Sequence, residues 1–179
     1  MTELPKRTLG RTDFEVTTLG YGAMELRGAP SGPEISDEAA GKVLNTVLDA
    51  GINFIDTSID YGRSEELIGK FIAHRRSEYV LASKCGCVPN APQGSDHVHT
   101  AQNIRNGVEH SLRLLKTDHL DLVQFHRSLS ESEFHAEGAL EEGVVGPPMP
   151  PSARLVPLVH ALTDRLPLAW RGPCRRSRS

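Results

Sequence analysis

Four residues of this chain carry side chains that can hold or move a proton, and each stands at or just beyond the end of an apolar run. Asp56 ends the run Phe54-Ile55, and Tyr61 follows five residues later. Lys84 follows Tyr79-Val80-Leu81-Ala82-Ser83, and His126 follows Leu122-Val123-Gln124-Phe125. An ionised carboxylate closing an apolar run needs a partner from elsewhere in the chain, and Lys84 is the candidate. A phenol, an ammonium, a carboxylate and an imidazole that met at one place could pass a proton to or from a bound polar group. Taken singly, each has an ordinary reading as well: a structural ion pair for Asp56 and Lys84, a rim aromatic for Tyr61, a core histidine for His126.

Whether they meet depends on the elements that carry them. The three apolar runs have the length and composition of buried strands, and amphipathic helical segments lie between them. Ser36 precedes Asp37 and Glu38, as a cap and an acidic first turn, and Ala40, Val43, Leu44, Val47 and Leu48 recur at helical spacing. Ser64 is expected to cap a second helix, with Glu65 and Glu66 in its first turn and Leu67, Ile68, Phe71 and Ile72 turned inward. Thr100 is expected to cap a third, with Ile104, Val108, Ser111, Leu112 and Leu115 as its stripe. Strand, helix, strand, helix favours a parallel sheet with right-handed crossovers. In a parallel barrel the C-terminal strand ends share one face, and chemistry is located there. Asp56, Tyr61, Lys84 and His126 are then expected to converge.

Asp56-Thr57-Ser58-Ile59-Asp60-Tyr61-Gly62 followed by Ser64-Glu65-Glu66-Leu67-Ile68-Gly69 resembles the signature segment of the aldo-keto reductases. Leu81-Ala82-Ser83-Lys84 and Leu122-Val123-Gln124-Phe125-His126 match the family's other two catalytic positions in order. Arg7-Thr8-Leu9-Gly10-Arg11-Thr12 and Leu19-Gly20-Tyr21-Gly22-Ala23-Met24 resemble its N-terminal hairpin and first barrel strand. The resemblance covers residues 6–142. It implies that Tyr61 is the general acid, that Lys84 and Asp56 tune it, and that His126 orients a substrate carbonyl. It also implies NADPH as hydride source for reducing an aldehyde or ketone, with Gly22, Ala23, Met24 and Asp56 near the cofactor, and a small-molecule carbonyl substrate. An ammonium beside Tyr61 would be expected to lower the phenol's pKa and ease proton donation.

The expected fold class is therefore α/β: an incomplete (β/α)8 TIM barrel of an N-terminal hairpin and about four βα units over residues 1–142. A closed barrel typically takes about 250 residues, and this chain has 179. From residue 143 its character changes. Seven of the twelve prolines lie there, with six arginines and the single acid Asp164, so this part carries about +5 of a formal net charge of -3. Pro147-Pro148-Met149-Pro150-Pro151 cannot continue a helix. Residues 143–179 are expected to form a poorly ordered Pro/Arg-rich tail in place of the remaining barrel. That raises an alternative from another class: a shortened, catalytically inactive family member acting as an interaction module or surviving as an unstable product.

Composition excludes other classes. With 38% hydrophobic and 24% charged residues the chain is ordinary for a globular domain. No apolar run reaches the roughly 18 residues of a membrane span, and the N-terminus lacks a signal-peptide core. A cytoplasmic location without membrane or nucleic-acid partners is expected, with self-association through unpaired barrel edges. Three cysteines without framework spacing suit a reducing compartment. Gly20-Tyr21-Gly22 has Glu25 where a dinucleotide fingerprint needs its third glycine. Cys85-Gly86-Cys87 and His97-Val98-His99 each fall short of a tetrahedral ligand set, so no metal is expected. The segment from Cys85 to Thr100 reads as a long loop on the functional face, either shaping a pocket or simply connecting.

Overall fold

The computed structural model describes residues 3–10, 12–30, 32–92 and 94–127. The chain enters as a hairpin, β1 (Lys6–Thr8) paired antiparallel with β2 (Glu15–Thr17), with Lys6 opposite Thr17 and Thr8 opposite Glu15. Leu9 in the turn, like Phe54, packs against the buried pair Ala82 and Leu122, so the hairpin covers an apolar cluster at the sheet. Asn53 ties the two together, its amide oxygen accepting from the Thr17 N–H at 2.7 Å and its amide nitrogen donating to the Glu15 carbonyl at 2.8 Å.

A parallel sheet comes next, in chain order: β3 (Tyr21–Gly22), β4 (Phe54–Asp56), β5 (Val80–Cys85) and β6 (Leu122–Phe125). Between successive strands lie α1 (Asp37–Asp49), α2 (Ser64–Phe71) and α3 (Ala101–Leu115). This is the expected α/β architecture, a part of a (β/α)8 barrel. Parallel strands need such crossovers, because no tight turn can return the chain to the same end of the sheet. Ile55, Leu81 and Tyr79 on the sheet side bury against Ala40, Leu44, Leu48, Leu67, Ile68, Val108 and Leu115 of the helices.

Local signals explain most boundaries. Ser36 and Thr100 accept from the N–H groups of Ala39 and Asn103, as cap residues do. Lys116 closes α3 in the left-handed conformation. Ser64 departs from expectation. It is the first residue inside α2 rather than its cap, and its buried hydroxyl donates to the Ala23 carbonyl at 2.9 Å while meeting Thr57 Oγ1 at 2.9 Å. Burial next to two oxygens outcompetes the cap role. Val43, expected inward, is 39% exposed, because the buried stripe of α1 is narrower than its apolar pattern. The first barrel strand, expected around residues 19–24, pairs only at Tyr21 and Gly22.

The helix of the fourth expected βα unit, which would begin near Ser130 or Ser132, and the change of character at residue 143 lie outside the described residues. Among those residues no helix is long and apolar enough to cross a membrane.

Candidate active site

Parallel pairing puts the chemistry-bearing strand ends side by side. Gly22 is opposite Asp56, Asp56 opposite Ala82, and Lys84 opposite Gln124, two residues before His126. Lys84 Nζ donates to Asp56 Oδ1 at 2.5 Å and to the Thr57 carbonyl at 3.0 Å. The lysine side chain is 10% exposed and the aspartate 30%. This is the partner that a carboxylate ending an apolar strand demands.

Tyr61 comes back over this pair by a tight turn, its N–H donating to the Ser58 carbonyl at 3.1 Å. Gly62 completes the turn with φ +48, and a Cβ there would lie 2.4 Å from the Arg27 carbonyl oxygen, so no other residue fits. The Lys84 ammonium lies 5.9 Å from the Tyr61 ring centroid. The His126 ring meets the Tyr61 ring edge-on, with centroids 5.4 Å apart. All four residues singled out from the sequence thus border one space at the strand ends.

His126 is held from behind. Ser58 Oγ lies 3.2 Å from His126 Nδ1, and Cys87 Sγ lies 3.1 Å from the same nitrogen. The Asp60 N–H donates to Ser58 Oγ at 3.2 Å, which leaves the serine hydroxyl hydrogen free to point at Nδ1. With Nδ1 accepting from that hydroxyl, the ring proton is on Nε2, where it faces away from Ser58 and Cys87. Burial, and next the neighbouring His97, hold the His126 pKa below its ordinary value, so the ring is neutral at pH 7.

Tyr61 behaves differently from the expectation of an acidified phenol. Burial, and after it the Asp56 carboxylate, push its pKa above the ordinary tyrosine value. Lys84 is already paired with Asp56 at 2.5 Å, so its charge is largely cancelled where the phenol stands. Glu65 is the larger surprise. Its place in a first helical turn suggests a solvated, dipole-favoured acid, yet it is 1% exposed. Its Oε1 accepts from Ser83 Oγ at 2.6 Å, and burial raises its pKa. Ser58, Cys87 and His97 were not among the expected site residues; long-range packing brings them to His126, Ser58 and Cys87 from just past the ends of β4 and β5 and His97 from the loop before α3.

Of the expected cofactor-binding residues, Gly22 is exposed and has no atom within 4 Å of where a Cβ would stand, and Met24 is 42% exposed. Ala23 is fully buried and its carbonyl accepts from Ser64.

The sequence and the fold both have relatives among known proteins. Residues 18–144 match the model of the aldo/keto reductase family. The chain is 36% identical over 131 residues to the L-galactose dehydrogenase of Arabidopsis thaliana, covering 70% of this chain and 39% of that one. It is 34% identical over 142 residues to the 6-dehydroglucose reductase of Novosphingobium aromaticivorans, covering 71% and 44%. Among solved structures, an aldo-keto reductase from Pseudomonas aeruginosa superposes with a TM-score of 0.67 at 33% identity, covering 76% of this chain and 53% of that one. The chain therefore spans about half the length of the proteins it matches.

Proposed function

Since the chain belongs to the aldo/keto reductase family of oxidoreductases, we propose that it reduces an aldehyde or ketone to an alcohol, with NADPH as the hydride source and Tyr61 as general acid. The observation that carries this reading is the joint placement of Tyr61 over the Lys84–Asp56 pair and against the His126 ring. Bound NADPH would supply the hydride. What would meet its nicotinamide end is the open backbone at Gly22, exposed Met24 and the Asp56 carboxylate, with Ala23 buried behind them.

The protein's own contribution is a proton and an orientation. His126, neutral with its proton on Nε2, donates a hydrogen bond that fixes the carbonyl oxygen of the substrate. The raised pKa keeps Tyr61 protonated at neutral pH, and the phenol gives its proton to that oxygen as negative charge develops. Asp56 and Lys84 hold each other beneath the tyrosine, and the ammonium offsets the Asp56 charge that would otherwise oppose the phenolate that remains. Substrate choice belongs to the loops above this face, among them the segment between β5 and α3.

NADPH oxidation over a panel of small aldehydes and ketones tests the assignment. Tyr61→Phe should lower kcat by about 10²- to 10⁴-fold, the usual worth of a positioned acid, while calorimetric NADPH binding is unchanged. A rate indifferent to Tyr61→Phe would overturn the catalytic role. Absence of NADPH binding at micromolar concentration would favour the reading as a catalytically silent interaction module.

A further inference from the structure

We propose that Cys87, His97 and His126 form a binding site for a zinc-class divalent ion. One ligand atom from each of the three lies within 4.8 Å of the other two. Cys87 Sγ is 3.1 Å from His126 Nδ1, about the spacing of two ligands on one tetrahedral ion. The His97 ring stands nearly perpendicular to the His126 ring, with centroids 5.1 Å apart. His97 Nε2 is buried and has no hydrogen-bond partner among the described residues, an expensive state for a ring nitrogen that ligation would relieve.

The donor set selects the ion. One thiolate and two imidazoles suit zinc and its neighbours, not magnesium or calcium, which take oxygen. Three protein ligands leave a fourth position for water, the pattern of an open rather than a closed zinc site. Ligands on a tetrahedral zinc are separated by roughly 3.3–3.6 Å, given bonds of about 2.0–2.3 Å. His97 therefore has to close by about 1 Å, and it is on the loop between β5 and α3, which can supply that movement. The parallel His99 ring, 6.2 Å away, backs it. On binding, the Cys87 thiol loses its proton to solvent, and the ion, thiolate and two neutral imidazoles make a complex of charge +1.

Neither Cys-x-Cys nor His-x-His supplies such a set alone. One member of each pair faces His126, while Cys85 is elsewhere in the core, its thiol pushed up to about 12 by burial. Because His126 borders the space under Tyr61, an ion held at its Nδ1 sits behind the imidazole whose Nε2–H the proposed reaction uses.

Cobalt(II) is the probe, added to the full chain carrying Cys174→Ser so that no thiol outside the described residues contributes. One equivalent should produce visible bands of tetrahedral intensity and a near-ultraviolet thiolate-to-cobalt band, both removed by zinc or by a chelator. Cys87→Ser should abolish the thiolate band, His97→Gln should weaken affinity by at least about tenfold, and Cys85→Ser should change neither. Circular dichroism checks that each variant folds, and His97→Gln, on a loop, provides the test if Cys87→Ser does not. An octahedral spectrum like that of free cobalt, or bands that survive Cys87→Ser in a folded chain, would overturn the site. The readout needs no turnover, so its failure is separable from failure of the reductase assignment.

Discussion

Tyr61 and Glu65 are four residues apart, and burial moves both in the same direction for opposite reasons of function. The raised pKa of Tyr61 keeps the acid form populated, so the rate of carbonyl reduction should stay level through pH 9 and fall only above the ordinary tyrosine value of about 10. An alkaline limb well below that in a kcat profile would mean that bound cofactor or substrate reverses the field of Asp56. For Glu65 the consequence is stability. A carboxyl whose folded pKa lies above its unfolded value binds more protons when folded, so its contribution is full below the unfolded pKa and is lost as pH rises through the folded one. Each unit of that displacement is worth about 1.4 kcal/mol. Glu65→Gln keeps an oxygen for Ser83 and removes the titration. Urea unfolding at pH 5 and pH 8 should find the wild-type chain losing stability between the two and the variant losing less. Equal losses would mean that Glu65 is ionised in the folded chain. The sequence could not separate these two acids of α2: Glu66 is exposed and Glu65 buried, and both look like first-turn carboxylates until the sheet is packed beneath them.

The elements were far more legible than the individual side chains, because each is set by a short-range pattern. Apolar runs of strand length, Ser36 and Thr100 as caps, and stripes at helical spacing fix β4, β5, β6, α1 and α3 to within a few residues. What the pattern omits is where elements press on one another. Asp121 reads as a polar interruption before a strand, yet it stitches β5 to β6, accepting from the Leu81 N–H at 2.7 Å and from Arg76 at 2.6 Å. Gly69 reads as a helix defect. A Cβ there would lie 2.1 Å from the Leu114 carbonyl oxygen and 2.7 Å from the Leu115 carbonyl carbon, so α2 and the end of α3 touch through backbone. Gly69→Ala should therefore destabilise the chain by about 1–3 kcal/mol, as overpacking does, even though alanine is the better helix former. Gly22→Ala is the control. With open space around it and an extended backbone, it should leave the denaturation midpoint unchanged while weakening NADPH binding. A neutral Gly69→Ala would mean that the two helices can part at no cost.

At the scale of the molecule, the sheet formed by the described residues has two unpaired edges, and the backbone groups along them bear on how copies of the chain meet. Among the described residues β3 pairs only with β4 and β6 only with β5, so both outer edges carry backbone N–H and C=O groups that a neighbouring strand could satisfy. The two edges differ in reach: β3 has two paired residues, and β6 has four, Leu122–Phe125. A longer edge is the better template, and Val123 and Phe125 add apolar surface already packed on one side against the core. Association through β6 is therefore favoured over association through β3. Sedimentation velocity of the 179-residue chain should give a weight-average mass that exceeds the 19.6 kDa of one chain and grows with concentration. Amide exchange at residues 122–125 should slow over the same range, with residues 21 and 22 little affected. A mass constant at that of one chain would mean that the β6 edge is already satisfied from within the same chain, and exchange there would then be slow at every concentration.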